Sequence, residues 1–258
     1  MIKVPEILTG MTPDPVDQAR RLAYDRFPDA LAVILAGSTA AGRATASSDL
    51  DIAVLIGDGG ETCRETIRFE GRVVELFIHT RAGLVDLFAA DIAARRAVLQ
   101  SMYATGLILI DTNGEARRAR ALAEADLRKG PPPLEPETVE TKRYGLTDAL
   151  DDLADTGDHI ERLAVAGFVL SAAADLLCDY QHAWIGGGKW LPRRLLQADA
   201  ELGAALLEAH LHLCKSGDPG PMVNAASGIL NLVGGPLREG YRRTWRGVIE
   251  SVATASGR

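Results

Sequence analysis

The 258-residue sequence has few cysteines and no strongly apolar beginning. Its three cysteines lie far apart, at positions 63, 178 and 214. Neither a disulfide framework nor a paired-cysteine zinc site fits that number and spacing, which favours a reducing compartment. Pro5 and Glu6 interrupt the apolar residues at the start, and this argues against a signal peptide. We therefore expect a cytoplasmic protein.

The sequence also lacks an excess of positive charge and an apolar run of membrane length. Its formal net charge is −7, whereas a protein that binds nucleic-acid backbones usually carries a basic surface. The most apolar stretch, 163–178, contains Asp175 and is shorter than the roughly 20 residues that span a bilayer. We expect neither a nucleic acid nor a membrane as partner, and we predict a buried helix at 163–178.

A glycine and a serine follow a short apolar run near the start of the chain. Residues 31–36 are all apolar, which predicts a buried strand that ends in a turn. Gly37 allows close approach of the backbone to a ligand, and Ser38 supplies a hydroxyl. Residues 39–41 can open a helix whose first amide groups point at an anion. This arrangement predicts a phosphate site.

Two aspartates separated by one residue follow after a short polar loop. Residues 50–56 are strand-like, and side chains alternate across a strand. Asp49 and Asp51 therefore lie on one face, while Leu50 and Ile52 lie on the other. Like charges this close are unfavourable unless a cation neutralises them, and carboxylate oxygens suit Mg²⁺ or Mn²⁺.

A third carboxylate belongs to a later strand. Residues 66–69 and 72–78 are both strand-like, and Glu70 and Gly71 between them predict a hairpin turn. If the second of these strands pairs beside the aspartate strand, Glu75 reaches the same metals. Three such carboxylates are enough to hold two ions roughly 3.5–4 Å apart.

The order of these residues resembles a known superfamily. Gly37-Ser38, then about ten residues, then Asp49-Leu50-Asp51 and a later strand carboxylate are similar to the DNA polymerase beta-like nucleotidyltransferases. Residues 30–80 carry the resemblance. The layout of the chain resembles the small-molecule branch, typified by kanamycin nucleotidyltransferase and the aminoglycoside adenylyltransferases. Gly-Ser and Asp-Leu-Asp are each common in proteins. Either motif alone could therefore occur by chance, without a nucleotide site.

The resemblance implies roles for these residues. Asp49, Asp51 and Glu75 would be both catalytic residues and metal ligands, with two Mg²⁺ ions expected and Mn²⁺ as the alternative. An isolated strand glutamate such as Glu75 is otherwise a solvent-facing residue.

Other residues of the motif would bind the nucleotide. Gly37 and Ser38 would bind the triphosphate of an NTP, with ATP expected. Arg43 and Ser48 lie inside the motif loop and would contact phosphate as well.

A proline-rich stretch divides the chain. Four prolines between positions 131 and 136 cannot continue a helix and form a stiff linker. We predict an α+β fold: a catalytic domain at 1–130, with a mixed sheet and flanking helices, and a helical acceptor-binding bundle at 137–258. Predicted strands lie at 31–36, 50–56, 66–69, 72–78 and 107–110. Predicted helices lie at 14–27, 81–103, 115–129, 137–155, 158–182, 192–213, 221–233 and 237–253.

Two residues of the helical half are candidates for the same reaction. Relatives use a carboxylate as the base that deprotonates the acceptor, and the first helix after the linker offers Asp148, with Asp152 on the same face. The alternative for both is a solvated acidic face. Lys189 follows three glycines and is similar to lysines that contact the phosphates in this superfamily. Its alternative is an interhelical loop in which Trp184 and Trp190 pack as core.

The predicted reaction is transfer of a nucleoside monophosphate, AMP from ATP, to a hydroxyl of a small molecule, with release of pyrophosphate. Aminoglycoside-like antibiotics are the expected acceptors, and the acidic balance of the chain suits polycationic molecules. Such an activity would confer antibiotic resistance. Since sites of some relatives are completed by a second subunit, a homodimer is an option. Two rivals are a protein-modifying or antitoxin-type transferase and a non-catalytic nucleotide-binding member of the fold.

Overall fold

The computed structural model describes residues 14–45 and 47–244. Contacts divide the chain into two compact units, Met1–Pro132 and Pro133–Arg258. The described strands all belong to the first unit and form one five-stranded mixed sheet, whereas the described elements of the second are helical. This organisation confirms the predicted α+β fold class.

The first unit alternates strands and helices around its sheet. Its elements are α1 (Pro15–Arg26), β1 (Ala32–Ala36), α2 (Gly37–Ala40), β2 (Leu50–Leu55), β3 (Cys63–Phe69), β4 (Arg72–His79), α3 (Arg81–Ala93), α4 (Val98–Thr105), β5 (Leu107–Asp111) and α5 (Glu115–Lys129).

The order of the strands in the sheet is β3-β4-β2-β1-β5. After β2 the chain runs outward to the edge strand β3 and returns through a hairpin as β4, which pairs parallel to β2. The hairpin turn is the predicted one, with positive φ at both Glu70 (47°) and Gly71 (84°). Two-residue turns with φ above zero at both positions match the twist of the flanking strands. The hairpin thus brings β4 beside β2.

Both faces of the sheet are covered. In β1, Val33 and Leu35 belong to a buried cluster that also contains residues of α1. Ile34 belongs to a second buried cluster on the opposite face, together with Phe88 of α3 and Tyr103 of α4. Because successive side chains of a strand point to opposite faces, a central strand between two helical layers is apolar throughout. This is why residues 31–36 form a continuous apolar run.

The start of α1 agrees with its sequence. Asp14 is the N-cap, and its carboxylate accepts from the backbone N–H groups of Val16 (2.8 Å) and Asp17 (3.1 Å). Pro15 occupies the first helical position, where no donor is needed.

The predicted helix at 81–103 is wrong in one respect, because two helices, α3 and α4, occupy that range. Arg95 (φ 59°) and Ala97 (φ 48°) adopt left-handed backbone conformations between them. The side chain of Arg95 is buried and donates to the carbonyl of Pro132. The carboxylate of Asp91 accepts from the N–H of Leu99 at 2.7 Å and thereby caps the new helix. These tertiary contacts stabilise the break.

The second unit consists of helices α6 (Pro136–Asp155), α7 (His159–Tyr180), α8 (Leu191–Ala198), α9 (Ala200–Ser216) and α10 (Gly220–Leu232). The single helix predicted at 192–213 is wrong, since the chain breaks at Asp199. The carboxylate of Asp199 accepts from the N–H groups of Glu201 (3.1 Å) and Leu202 (2.9 Å). It therefore caps α9 and makes a new helix start favourable.

Helix α7 lies at the centre of this unit and contacts α6, α8, α9 and α10. It has the length and mean hydropathy (1.6) of a membrane span, and 39% of its apolar window is buried. A single such helix is weak evidence for a span, because a core helix has the same composition. Its inward residues, such as Val169, Ala173 and Leu177, are fully buried in the core of the unit.

The helix predicted at 237–253 is wrong in its described part, because residues 237–244 are not helical. Gly234 and Gly235 have positive φ and are followed by Pro236, so α10 ends before them. The N–H of Leu237 then donates to the hydroxyl of Thr147 on α6 at 3.1 Å. Residues 245–253 lie outside the described part of the chain.

Candidate metal and nucleotide site

Gly37 lies where β1 ends and the short helix α2 begins. It has a φ of 68°, which favours glycine, and a Cβ at this position would lie 1.9 Å from Oδ2 of Asp51. Glycine is thus required both by the backbone conformation and by the carboxylate packed against it. The group packed against Gly37 in the structure is the side chain of Asp51, and the predicted approach of a ligand to this glycine stays a prediction.

The strand register brings three carboxylates together. Asp51 and Glu75 are directly paired across the parallel strands β2 and β4. Asp49 is the residue immediately before β2, two positions from Asp51, and so lies on the same face of the sheet. Residues two positions further along, Ala53 and Phe77, pack in the cluster on the face away from α1, which identifies the face of the carboxylates. Backbone pairing therefore places the acids beside one another.

Oxygen atoms of Asp49, Asp51 and Glu75 all lie within 4.8 Å of one another. All three side chains are half-buried, so their mutual repulsion is screened less than in open water. Carboxylate oxygens on a partly open surface form the donor set that suits a hard cation such as Mg²⁺ or Mn²⁺. The chemistry and spacing of these residues fit a divalent metal site.

Sequence reasoning missed Arg64, which lies next to this cluster. Its guanidinium donates to Oε2 of Glu75 at 2.6 Å and lies over the ring of Phe77, 4.8 Å from the centroid. Arg64 pairs with Phe77 across β3 and β4 and is therefore a diagonal neighbour of Glu75. The signal was present in the sequence, since the hairpin turn at Glu70 and Gly71 determines this register.

The other predicted nucleotide-binding residues lie in and around the motif loop. Ser38 is half-buried in α2, and Arg43 is exposed, with its backbone N–H donating to the Ser38 carbonyl at 2.8 Å. The hydroxyl of Ser48 accepts from the N–H of Thr45 at 2.9 Å and so holds the loop together. Ser48 therefore has a structural role in the loop, and the phosphate contacts of all three residues stay predictions.

Asp148 belongs to the second unit, on α6. Its carboxylate is half-exposed and lies 3.3 Å from the guanidinium of Arg238, which also pairs with Asp151 at 2.6 Å. Its role as a base stays a prediction.

Lys189 also belongs to the second unit, in a turn before α8, and it is exposed. Its neighbour Trp190 is 40% exposed and lies beside the guanidinium groups of Arg193 and Arg194, 5.0 and 5.7 Å from the ring centroid. Trp184, in contrast, is buried. In the alternative interpretation both tryptophans pack in the core. The structure shows this for Trp184 and not for Trp190.

His79, at the end of β4, is buried and does not belong to the acidic cluster. Its Nδ1 lies 3.3 Å from the hydroxyl of Tyr103. Burial lowers the pKa of His79 to about 4 and raises the pKa of Tyr103. The imidazole is therefore neutral near pH 7 and belongs to the core of the first unit.

No known family model and no curated protein matches this chain. Among solved structures, the chain is similar to a nucleotidyltransferase-like protein from Exiguobacterium sibiricum 255-15. The likeness has 14% sequence identity and a TM-score of 0.43, and it covers 84% of this chain and 74% of that chain.

Proposed function

We propose that this protein is a metal-dependent nucleotidyltransferase that transfers a nucleoside monophosphate from an NTP to a hydroxyl of a small molecule. The observation that carries the proposal is the acidic cluster, whose ligand atoms lie within 4.8 Å of one another beside the turn at Gly37. Asp49, Asp51 and Glu75 would hold the divalent ions, two of which are expected. When bound, such ions neutralise the charge of a triphosphate and of its pyrophosphate leaving group.

Other residues would bind the triphosphate. Gly37 and Ser38 would bind the triphosphate, with Arg43 at the exposed end of the same loop. In the second unit, Lys189 offers an exposed ammonium for phosphate. These assignments place positive or hydrogen-bonding groups where the substrate carries negative charge.

The chemistry is an in-line displacement. The acceptor oxygen forms a bond to the α-phosphorus, the bond from that phosphorus to the bridging oxygen of pyrophosphate breaks, and the acceptor proton passes to a carboxylate. We propose Asp148 as this base, because its half-exposed carboxylate is accessible to a substrate. Reactions of this type depend on positioning and electrostatics and need no covalent enzyme intermediate.

We propose ATP as the nucleotide and a polycationic, aminoglycoside-like molecule as the acceptor. The support is electrostatic: the chain has a formal net charge of −7, and α6 presents exposed acidic residues on the second unit. They are Asp148, Asp151, Asp152 and Asp155. A negative surface raises the local concentration of a cationic substrate and speeds its association.

The proposal is tested by incubating the protein with ATP, Mg²⁺ and a panel of hydroxylated amines. The expected result is a mass gain of one AMP on an acceptor, with an equal amount of pyrophosphate. The same assay with chelator in excess should give neither product. ATP binding without pyrophosphate release, across the panel, would leave a nucleotide-binding protein and overturn the transferase assignment.

A further inference from the structure

Asp49 differs from the other two carboxylates of the cluster in how its backbone is held. Asp51 and Glu75 lie within the paired ladder of β2 and β4. Asp49 precedes β2, at the end of a loop without regular structure. A carboxylate on a loop needs a further restraint if it is to bind a metal with a defined geometry.

Such a restraint reaches the residue before Asp49. One guanidinium nitrogen of Arg72, the first residue of β4, donates to the carbonyl of Ser48 at 2.7 Å. The Nε–H of Arg72 donates to Oε1 of Gln18 at 3.0 Å. The rigid guanidinium fork therefore joins the end of the loop to α1.

Gln18 is in turn held in place. It lies on α1, is only 1% exposed, and its amide group donates to the carbonyls of Phe69 (2.9 Å) and Glu70 (3.2 Å). These two contacts assign the amide nitrogen and leave Oε1 to accept from Arg72. Because Gln18 is buried and hydrogen-bonded at both ends of its amide, it cannot turn without leaving a polar atom unsatisfied.

Arg72 acts from the side of the sheet opposite to the carboxylates. Side chains alternate along β4, so Arg72 points to the same face as Val74 and Leu76, which pack in the cluster with α1. Glu75 points to the opposite face. Its side chain is therefore separated from the metal-binding face by the sheet itself. The hydrogen-bonded route from the Arg72 side chain to Asp49 therefore runs through the Ser48 carbonyl.

We infer that Arg72, held by Gln18, is a positioning residue that orients Asp49 for metal binding. This inference rests on the proposed metal site. It assigns a role to three residues that the proposed reaction does not use directly: Gln18, Arg72 and the backbone of Ser48. The Arg72→Met variant would leave Asp51 and Glu75 in place and release only Asp49.

The test measures Mn²⁺ affinity of the full chain by titration, with free Mn²⁺ followed by electron paramagnetic resonance. Arg72→Met should weaken binding about 10-fold, as is usual when a residue behind a metal ligand is removed. The matched control is Arg68→Met, which removes an equal charge from the same hairpin. Arg68 is exposed and donates to the carbonyl of Gly71 at 2.9 Å, away from Ser48. Arg68 lies on the face of Glu75, because Thr66, two residues before it, pairs with Glu75. Removing its charge should therefore leave Mn²⁺ binding unchanged or slightly tighter, whereas loss of a positioning residue weakens it.

A double-mutant cycle separates positioning from general damage. In an Asp49→Ala background, Arg72→Met should have almost no further effect, because the ligand that it orients is already lost. Equal losses in both backgrounds would overturn the inference. If Arg72→Met does not fold, as judged by circular dichroism, Arg72→Lys is used in the same cycle, since it retains the charge without the fork.

The two failures are distinguishable. If the wild-type protein binds no Mn²⁺, the proposed function fails, and the positioning role fails with it. If the wild type binds Mn²⁺ and Arg72→Met equals Arg68→Met, the positioning role alone is wrong.

Discussion

Each unit of the chain has acidic side chains close together, and the two groups are held in different ways. In the first unit, Asp51 and Glu75 are paired residues of a parallel ladder, so backbone hydrogen bonds set their separation. In the second, Asp148 and Asp151 lie on α6 and share the guanidinium of Arg238. A ladder can hold like charges together against their repulsion, whereas acids on a helix surface are neutralised by a flexible side chain. Of the two groups, the first has three carboxylate oxygens close enough together that it could hold a metal ion.

The largest effect is expected at Asp51, in the acidic group held by the strand ladder. Asp51→Asn keeps the size of the side chain but removes the charge, and we expect transfer activity to fall about 10³-fold or more. Metal stabilisation of developing charge is worth several kcal/mol, and 1.36 kcal/mol is tenfold in rate. Activity is measured as pyrophosphate release.

The matched control for that variant is Asp58→Asn, in the loop after β2, where the carboxylate pairs with Arg81 at 3.3 Å. Its activity should equal that of the wild type. Wild-type turnover by Asp51→Asn would remove the metal mechanism.

Asp148 provides the corresponding test in the second unit. If it is the base, Asp148→Asn should lower kcat about 10²-fold, within the range for general base catalysis. Mn²⁺ affinity should not change, since the metal ligands are untouched. Asp152→Asn, one helical turn further on, is the control and should keep the wild-type kcat. Because Asp152 belongs to the acidic surface proposed to attract the acceptor, its effect should be confined to KM. A normal kcat for Asp148→Asn would show that its carboxylate belongs to a solvated helix face.

A third variant, at Gly37, tests whether the glycine turn is needed for metal binding. Gly37 and Gly42 both have positive φ (68° and 66°), so alanine at either position carries a similar backbone strain of about 1–3 kcal/mol. A Cβ at Gly42 has nothing within 4 Å, whereas one at Gly37 collides with the carboxylate of Asp51. We expect Gly37→Ala to weaken Mn²⁺ binding about 10-fold, which is the size of effect seen when a metal ligand is displaced by its surroundings.

Gly42→Ala should lose stability without losing Mn²⁺ affinity. Urea unfolding of both variants measures the backbone strain that they share. Mn²⁺ titration then measures the effect of the contact with Asp51, which only Gly37→Ala changes. Equal Mn²⁺ affinities would show that the close packing of Gly37 and Asp51 is not needed for metal binding.

The smallest expected effect concerns Arg64, which pairs with Glu75 across the sheet edge. Removing this cation by Arg64→Ala should tighten Mn²⁺ binding by about 1.4- to 5-fold, as exposed ion pairs contribute about 0.2–1 kcal/mol. The control is Arg26→Ala, which breaks a similar pair with Glu65 at 2.6 Å. Weaker Mn²⁺ binding by Arg64→Ala would mean that Arg64 orients Glu75 and does not compete with the metal.

Local residue patterns were enough to predict the elements around the candidate site. The apolar run before Gly37 and the alternation around Asp51 predicted strands that the structure contains as β1 and β2. The Glu70-Gly71 turn predicted a hairpin, and Phe69 pairs with Arg72 across it. These signals are short-range, because turn conformations and strand alternation depend on neighbouring residues.

The errors in helix boundaries have two origins, distant contacts and an overlooked local cap. The break between α3 and α4 has no glycine or proline near Arg95, and it depends on the Pro132 carbonyl and the Asp91 carboxylate. Asp199 could have been recognised as an N-cap, but it lies within a continuous apolar periodicity. Arg72 was missed because its partners, Gln18 on α1 and Ser48 in the loop before β2, are distant in the chain. Arg64 was overlooked although the hairpin register places it beside Glu75.

Residue types and their spacing are enough to identify the groups available for chemistry: a glycine turn, two aspartates on one strand face and a glutamate on a later strand. The folded chain was needed to show that β4 lies next to β2, with Asp51 opposite Glu75 and with Arg72 bound to the carbonyl before Asp49. The physical reason is that residue type and alternation act over a few residues. Strand order and register instead depend on the packing of whole faces of the sheet, which involves residues distant in the chain.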